Sequence, residues 1–218
     1  MIDIIVNKAS VLIMAISKSK FVSLTFDDGP SPYTNQILDI LGTYNIKATF
    51  FVVGKAVIKY PEIVKRINNE KHVIGNHTWN HPKITDLSAK ELSSQIKKNN
   101  LEIKKIIGKE PIIFRAPYGK IDDQSLRIIH DSGLKSVLWN VNSRDWSLTS
   151  AKKIERRVLK KTKTDSIVLL HDGDKFGSGP RDATVLSLPN IIEDLMQSGN
   201  KFLTIPVFHQ KCFTIEKW

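Results

Sequence analysis

Seven short apolar runs, each separated from the next by a stretch with helical spacing, constrain this chain more than any other feature. Phe21–Phe26, Ala48–Val53, Val73–Asn76, Ile112–Arg115, Ser136–Val141, Ile167–Leu170 and Phe202–Ile205 are short, apolar and mostly rich in β-branched or aromatic residues. Strands covered on both faces read in this continuous way instead of alternating. Between them, apolar residues recur at three- and four-residue spacing: Ile37, Leu38 and Leu41; Ile63, Val64 and Ile67; and Leu92 through Ile96 and Ile103 to Ile107. The longest of these opens with Ser88-Ala89-Lys90-Glu91, a capping-box pattern whose side chains satisfy free N–H groups of the first turn. Gly133 and Gly199 stand where helices should stop, since glycine tolerates left-handed backbone. The alternation predicts one α/β domain with about seven parallel strands over residues 20–207. A short leader, residues 1–19, packed or mobile, precedes it, and a tail, residues 208–218, follows.

Periodicity leaves two architectures open, a doubly wound sheet and a (β/α) barrel short of the full eight units. The polar residues help to choose. Asp27 and Asp28 follow the first strand; His77 follows the third, with His81 close behind; Arg115 closes the fourth; Asp145 and Trp146 lie past the fifth; His171 and Asp172 lie past the sixth. In a barrel, the C-terminal strand ends form one ring, so these residues would meet at a single mouth. An open sheet gathers ligands near one switch point and accommodates five contributing strands less easily. A distorted (β/α) barrel is the expectation.

Composition excludes several classes. The single cysteine, Cys212, rules out an internal disulfide and a multi-thiolate zinc site. The run Val11–Ile16 is far short of the roughly 20 residues needed to span a bilayer. Asp3, Lys8 and the lack of a small-residue cleavage site give no clear secretion signal, which leaves the cytoplasm open. The net charge of +11 favours polyanionic partners. Much of it lies in Lys152, Lys153, Arg156, Arg157, Lys160 and Lys161, along one side of an expected helix with Ile154 and Val158 turned inward. No aromatics interleave with that run, so nucleic acid is not the expected partner.

Two imidazoles and a carboxylate form a familiar metal-ligand set with positions left open for water and substrate. Alone, the His77/His81 pair is a weak signal: Gly75-Asn76 before it and Pro82 after it suggest a loop, and no Glu lies between the histidines as in a metalloprotease helix. Asp28-Gly29-Pro30 alone could be turn chemistry. Together, Thr25-Phe26-Asp27-Asp28-Gly29-Pro30, His77-Thr78-Trp79-Asn80-His81, Arg115-Ala116-Pro117-Tyr118, Asp145-Trp146 and Leu169-Leu170-His171 form a far stronger pattern. In that order they resemble the five motifs of the polysaccharide deacetylases, the NodB-homology domain of carbohydrate esterase family four. The resemblance runs from about residue 20 to residue 207.

The resemblance implies a distorted (β/α) barrel and a fixed distribution of roles. Asp28, His77 and His81 would hold one divalent metal, most often Zn2+, with Co2+ as a substitute. Asp27 would be the general base and Arg115 would orient it. His171 would be the general acid and Asp145 would orient it. The Tyr118 backbone N–H would stabilise the oxyanion, and Trp146, Leu169 and Pro117 would wall the acetyl pocket. The implied activity is removal of N-acetyl groups from N-acetylglucosamine residues of a glycan such as peptidoglycan or chitin, by a monomer in the cell envelope or outside the cell. The basic helix Lys152–Lys161 would suit an anionic wall polymer. An O-acetyl xylan esterase using the same site and a non-catalytic glycan-binding module are the alternatives. One position departs from the pattern: Asn142 stands where the fourth motif often has a first Asp.

Overall fold

The computed structural model describes residues 20–147, 149–174 and 179–205. The leader 1–19, the tail 208–218 and Cys212 lie outside the described residues. Among the described residues, eight strands form one curled, wholly parallel sheet: β1 (Phe21–Asp27), β2 (Thr49–Val52), β3 (Val73–Asn76), β4 (Ile113–Phe114), β5 (Lys135–Ser136), β6 (Val141–Asn142), β7 (Ser166–His171) and β8 (Lys201–Phe202). The strand order is β5-β4-β3-β2-β1-β7-β6, with β8 beside the start of β1. Seven positions across the sheet and an opening between β5 and β6 make a distorted (β/α) barrel.

The sequence leads one to expect a single strand over Ser136–Val141; the structure divides it. Its two ends are β5 and β6, which pair with β4 and β7 and form the two edges of the sheet. The reason lies in the residues between. The carbonyls of Val137 and Leu138 accept hydrogen bonds from the buried Arg115 side chain at 3.2 Å each, so the chain turns inward there.

Among the described residues, seven helices cover the outside: α1 (Pro32–Thr43), α2 (Gly54–Lys59), α3 (Pro61–Asn69), α4 (Ala89–Ile107), α5 (Asp123–Asp131), α6 (Ala151–Lys161) and α7 (Asp182–Gln197). Contacts of α6 with α7, α7 with α1, α1 with α3, α3 with α4 and α4 with α5 carry the strand order around the ring. Both ends of α4 follow the sequence signals. The Ser88 hydroxyl accepts from the Glu91 amide while Glu91 accepts from the Ser88 amide, and the helix stops at Gly108 in left-handed backbone. On α6, Ile154 and Val158 are buried while Lys152, Lys153, Arg156, Lys160 and Lys161 are exposed.

The core lies between sheet and helices. Every residue of β1 is buried, and it is the strand on which β2, β7 and β8 all pair. Phe26 stacks on Phe50 of β2 with ring centroids 5.1 Å apart. Phe50→Ala is expected to lower the unfolding free energy by about 3–5 kcal/mol, from lost burial plus the cavity left behind, as read from denaturant melts.

Candidate active site

The C-terminal ends of β1, β3, β4 and β7, with the turn after β6, deliver ionisable side chains to one cavity of about 490 Å³. Asp27, Asp28, His77, His81, Tyr118, Trp146, Leu169 and His171 all line it, together with Trp139, Asn142, Asp174 and Arg181. Arg115 and Asp145 sit one layer below, each gripping a residue of the wall. Pro117 is the exception: it is buried in its turn and is not part of the lining, where Trp139 stands instead.

Three donors converge. Asp28 Oδ1 lies 3.3 Å from His77 Nε2 and 3.1 Å from His81 Nε2. Among the described residues, Asp28, His77 and His81 are a group whose ligand atoms lie within 4.8 Å of one another, and all three are buried. The His77 Nδ1–H donates to the Arg115 carbonyl at 2.7 Å, which fixes the tautomer and turns the Nε2 lone pair toward Asp28. Asp28 Oδ1 and His81 Nδ1 have no hydrogen-bond partner among the described residues. With the His77 tautomer fixed, the Asp28 Oδ1 lone pairs face the His77 Nε2 lone pair in a buried place, an arrangement that a bound cation satisfies.

The electrostatics agree. Burial works against the charged forms of both Asp28 and His77. The two imidazoles and His171 nevertheless hold Asp28 well below the ordinary carboxylate value. The charges of Asp27 and Asp28 likewise outweigh burial at His77 and raise its pKa. The pocket favours positive charge at the point where the three donors meet. It is also a strained place. Asp28, Thr78, His81 and Tyr118 all have left-handed backbone, with φ of 75°, 66°, 60° and 60°. Such residues cost of order 1–3 kcal/mol each and persist only where their surroundings over-determine them.

Asp27 is held from below. Arg115 Nη1 donates to Asp27 Oδ1 at 2.8 Å and to the Thr25 hydroxyl at 2.7 Å, while the guanidinium lies 4.1 Å from the centre of the Phe51 ring. The other carboxylate oxygen, Oδ2, points into the cavity 3.9 Å from His77 Nε2. Opposite, His171 Nδ1 and Asp145 Oδ1 are 2.7 Å apart, and Asp145 Oδ2 accepts from the His171 amide and from Thr184. Burial disfavours the imidazolium, but Asp145 overrides it and pushes the His171 pKa up to about 9.

Several contributors have no role that the sequence assigns. Thr25, Ser143 and Thr184 complete the hydrogen bonding of the two carboxylate partnerships. Asp172 ties the first motif to the fifth: its amide donates to the Asp27 carbonyl and its Oδ2 accepts from Thr34 at 2.6 Å. A Cβ at Gly29 would lie 2.1 Å from that Oδ2, so only glycine fits there. Asn142 keeps the local contact of its turn, since its Oδ1 accepts from the Arg144 amide at 2.8 Å. His72 is structural: its Nδ1 accepts from the Ala48 amide, and burial lowers its pKa to about 4.

A candidate cation cradle, a carboxylate with one free oxygen and a carboxylate-backed imidazole, all facing one cavity, are the parts of a hydrolase of acyl derivatives. The comparisons agree with that class. A family model described as polysaccharide deacetylase matches residues 15–137. The chain is 38% identical over 192 residues to a peptidoglycan-N-acetylglucosamine deacetylase of Bacillus cereus, covering 87% of this chain and 88% of the relative. It is 35% identical over 198 residues to a chitooligosaccharide deacetylase of Rhizobium leguminosarum bv. trifolii, covering 87% and 92%. The crystal structure of the Bc1960 peptidoglycan N-acetylglucosamine deacetylase superposes with a TM-score of 0.87 at 36% identity, over 93% of this chain and 94% of that one. The chain belongs to the polysaccharide deacetylase family.

One titration checks the electrostatic account. With folded pKa near 9 and an ordinary value of 6.5, His171 stabilises the fold fully below pH 6.5, and this contribution is lost as pH rises through 9. In chelated protein, NMR should show the His171 imidazole losing its proton near pH 9, with Asp145→Asn moving that midpoint down toward the ordinary value.

Proposed function

We propose that this protein hydrolyses the N-acetyl groups of N-acetylglucosamine residues in a glycan, peptidoglycan foremost, releasing acetate and leaving the free amine. The observation that carries this reading is the meeting of Asp27 Oδ2, the Asp28/His77/His81 donors and His171 at one cavity. The printed activities of the relatives favour an amide of an acetylated amino sugar as the substrate.

Asp28, His77 and His81 would hold a divalent cation, and zinc suits a donor set of two imidazole nitrogens and one carboxylate oxygen. When bound, such a cation acidifies water and polarises the acetyl carbonyl. The remaining work falls to side chains whose positions are on hand. Arg115 occupies Asp27 Oδ1, which leaves Oδ2 to take the proton of the attacking water. The oxyanion that forms needs a fixed donor. The Gly119 and Lys120 amides are spent on the Ala116 and Pro117 carbonyls, and the Tyr118 amide, beside the cavity, takes the oxyanion in this scheme. As the C–N bond breaks, the nitrogen must be protonated, because an amide anion is a poor leaving group. His171 enters the reaction as imidazolium, with Asp145 on Nδ1, and gives its Nε2 proton to the departing amine. Leu169 and Trp146 wall the space for the acetyl methyl, with Trp139 alongside.

The exposed lysines of α6 suit contact with an anionic wall polymer, and the site is complete within one chain, as a monomer requires. Among the described residues, no helix is long and apolar enough to cross a membrane. The cell envelope, where the substrate lies, is the proposed place of action.

Acetate release from N-acetylated peptidoglycan, chitooligosaccharides and acetylated xylan tests the reading. Release from the N-acetyl substrates, abolished by chelation and restored by zinc or cobalt, is expected; release from acetylated xylan alone would replace the amidase by an esterase. Asp27→Asn should retain metal and lose at least about 10²-fold in kcat, the usual weight of a general base. Turnover by that variant at the wild-type rate would remove Asp27 from its role.

A further inference from the structure

The loop His77–His81 carries two of the three proposed cation ligands, and both Thr78 and His81 adopt left-handed backbone, an uncommon state for a residue other than glycine and most costly for the β-branched Thr78. Something must hold it. The His77 amide donates to the Val52 carbonyl, and the His81 amide donates to the Thr78 hydroxyl at 3.0 Å. The first amides of α2 reach in from one side: Gly54 N–H to the Thr78 carbonyl at 3.0 Å and Lys55 N–H to the Trp79 carbonyl at 2.9 Å. A Cβ at Gly54 would lie 2.3 Å from the Trp79 ring, so this approach needs glycine.

The other side is supplied by the middle of α4. Gln95 Oε1 accepts from two consecutive loop amides, Trp79 at 3.0 Å and Asn80 at 3.2 Å. One turn later, Asn99 Nδ2 donates to the Thr78 carbonyl at 2.9 Å and to the Val52 carbonyl at 2.8 Å. Asn100 Oδ1 accepts from Asn76, whose own Oδ1 accepts from the Thr78 amide at 2.7 Å. Lys98, three residues after Gln95, sets its ammonium 3.8 Å from the Trp79 ring centre. Gln95 and Asn99 are four apart, so they present from one face of the helix to one loop. At these positions the otherwise amphipathic helix spends its polar groups on the loop and the strand ends beside it.

We propose that Gln95 and Asn99 are positioning residues for the metal centre: α4 fixes the backbone of the His77–His81 loop and thereby sets the affinity of the site for its cation. This rests on the metal-dependent reading above. The side chains touch neither ligand atoms nor substrate; they act by holding the two imidazoles in register with Asp28. Partners of this outer kind are typically worth about 10–100-fold in metal affinity.

The test is made on Gln95, which is only half-buried and on a helix surface, so its replacement leaves the core intact. Metal-free protein is titrated with zinc and with cobalt against a chromogenic chelator. Gln95→Leu, which has no acceptor, is expected to bind zinc about 10–100-fold more weakly. Gln95→Glu, which keeps an acceptor for both amides, should bind as well as wild type or better. The core variant Ile192→Val, far round the ring on α7, should lower the unfolding midpoint and leave affinity unchanged. Wild-type affinity in Gln95→Leu, equal losses in Gln95→Leu and Gln95→Glu, or an equal loss in Ile192→Val would overturn the proposal. Uptake of cobalt by wild type together with any of these outcomes leaves the metal site standing. A wild-type protein that takes up no cobalt overturns both.

Discussion

A fully buried guanidinium organises this molecule. Arg115 joins β1 to the segment that should have continued β5, by donating to Thr25, Asp27, and the Val137 and Leu138 carbonyls. Breaking a buried ion pair by removing one partner usually costs about 3–5 kcal/mol, because the survivor is left uncompensated. The same contacts open the sheet between its two edges and leave one carboxylate oxygen of Asp27 free. Fold and proposed chemistry therefore share a single side chain: what makes the barrel incomplete also positions the proposed base.

The remaining ionisable groups of the site form a second partnership with opposite demands. Asp145 keeps His171 protonated, whereas Arg115 holds Asp27 by Oδ1 and leaves Oδ2 to the cavity. In the proposed mechanism the imidazolium on one side of the cavity is the acid and the carboxylate on the other is the base. Between them lies a place where lone pairs converge and positive charge is favoured. The strained backbone of Asp28, Thr78, His81 and Tyr118 is concentrated here, paired with dense hydrogen bonding from α2 and α4.

Much of this was legible in the sequence, for definite reasons. Buried parallel strands leave continuous apolar runs, and strand ends gather polar residues, so the ring from Asp27 to His171 could be read before any coordinates. The helix ends at Ser88, Gly133 and Gly199 were legible because caps use few residue types. The division of Ser136–Val141 was not, because its cause is Arg115, about twenty residues earlier in the chain, and tertiary contacts leave no local period. Thr184, Gln95 and Asn99 were silent for a related reason: each acts through hydrogen bonds to residues far away in the chain. A glutamine and an asparagine four apart on an amphipathic helix resemble an ordinary solvated face until the facing loop is seen.

Anomalous scattering at the zinc edge, from crystals of the catalytically active protein, tests the central claim most directly. The account predicts one strong peak about 2.0–2.2 Å from Asp28 Oδ1, His77 Nε2 and His81 Nε2, within bonding distance of all three. Active crystals with no peak there, or with the ion held by other side chains, would contradict it.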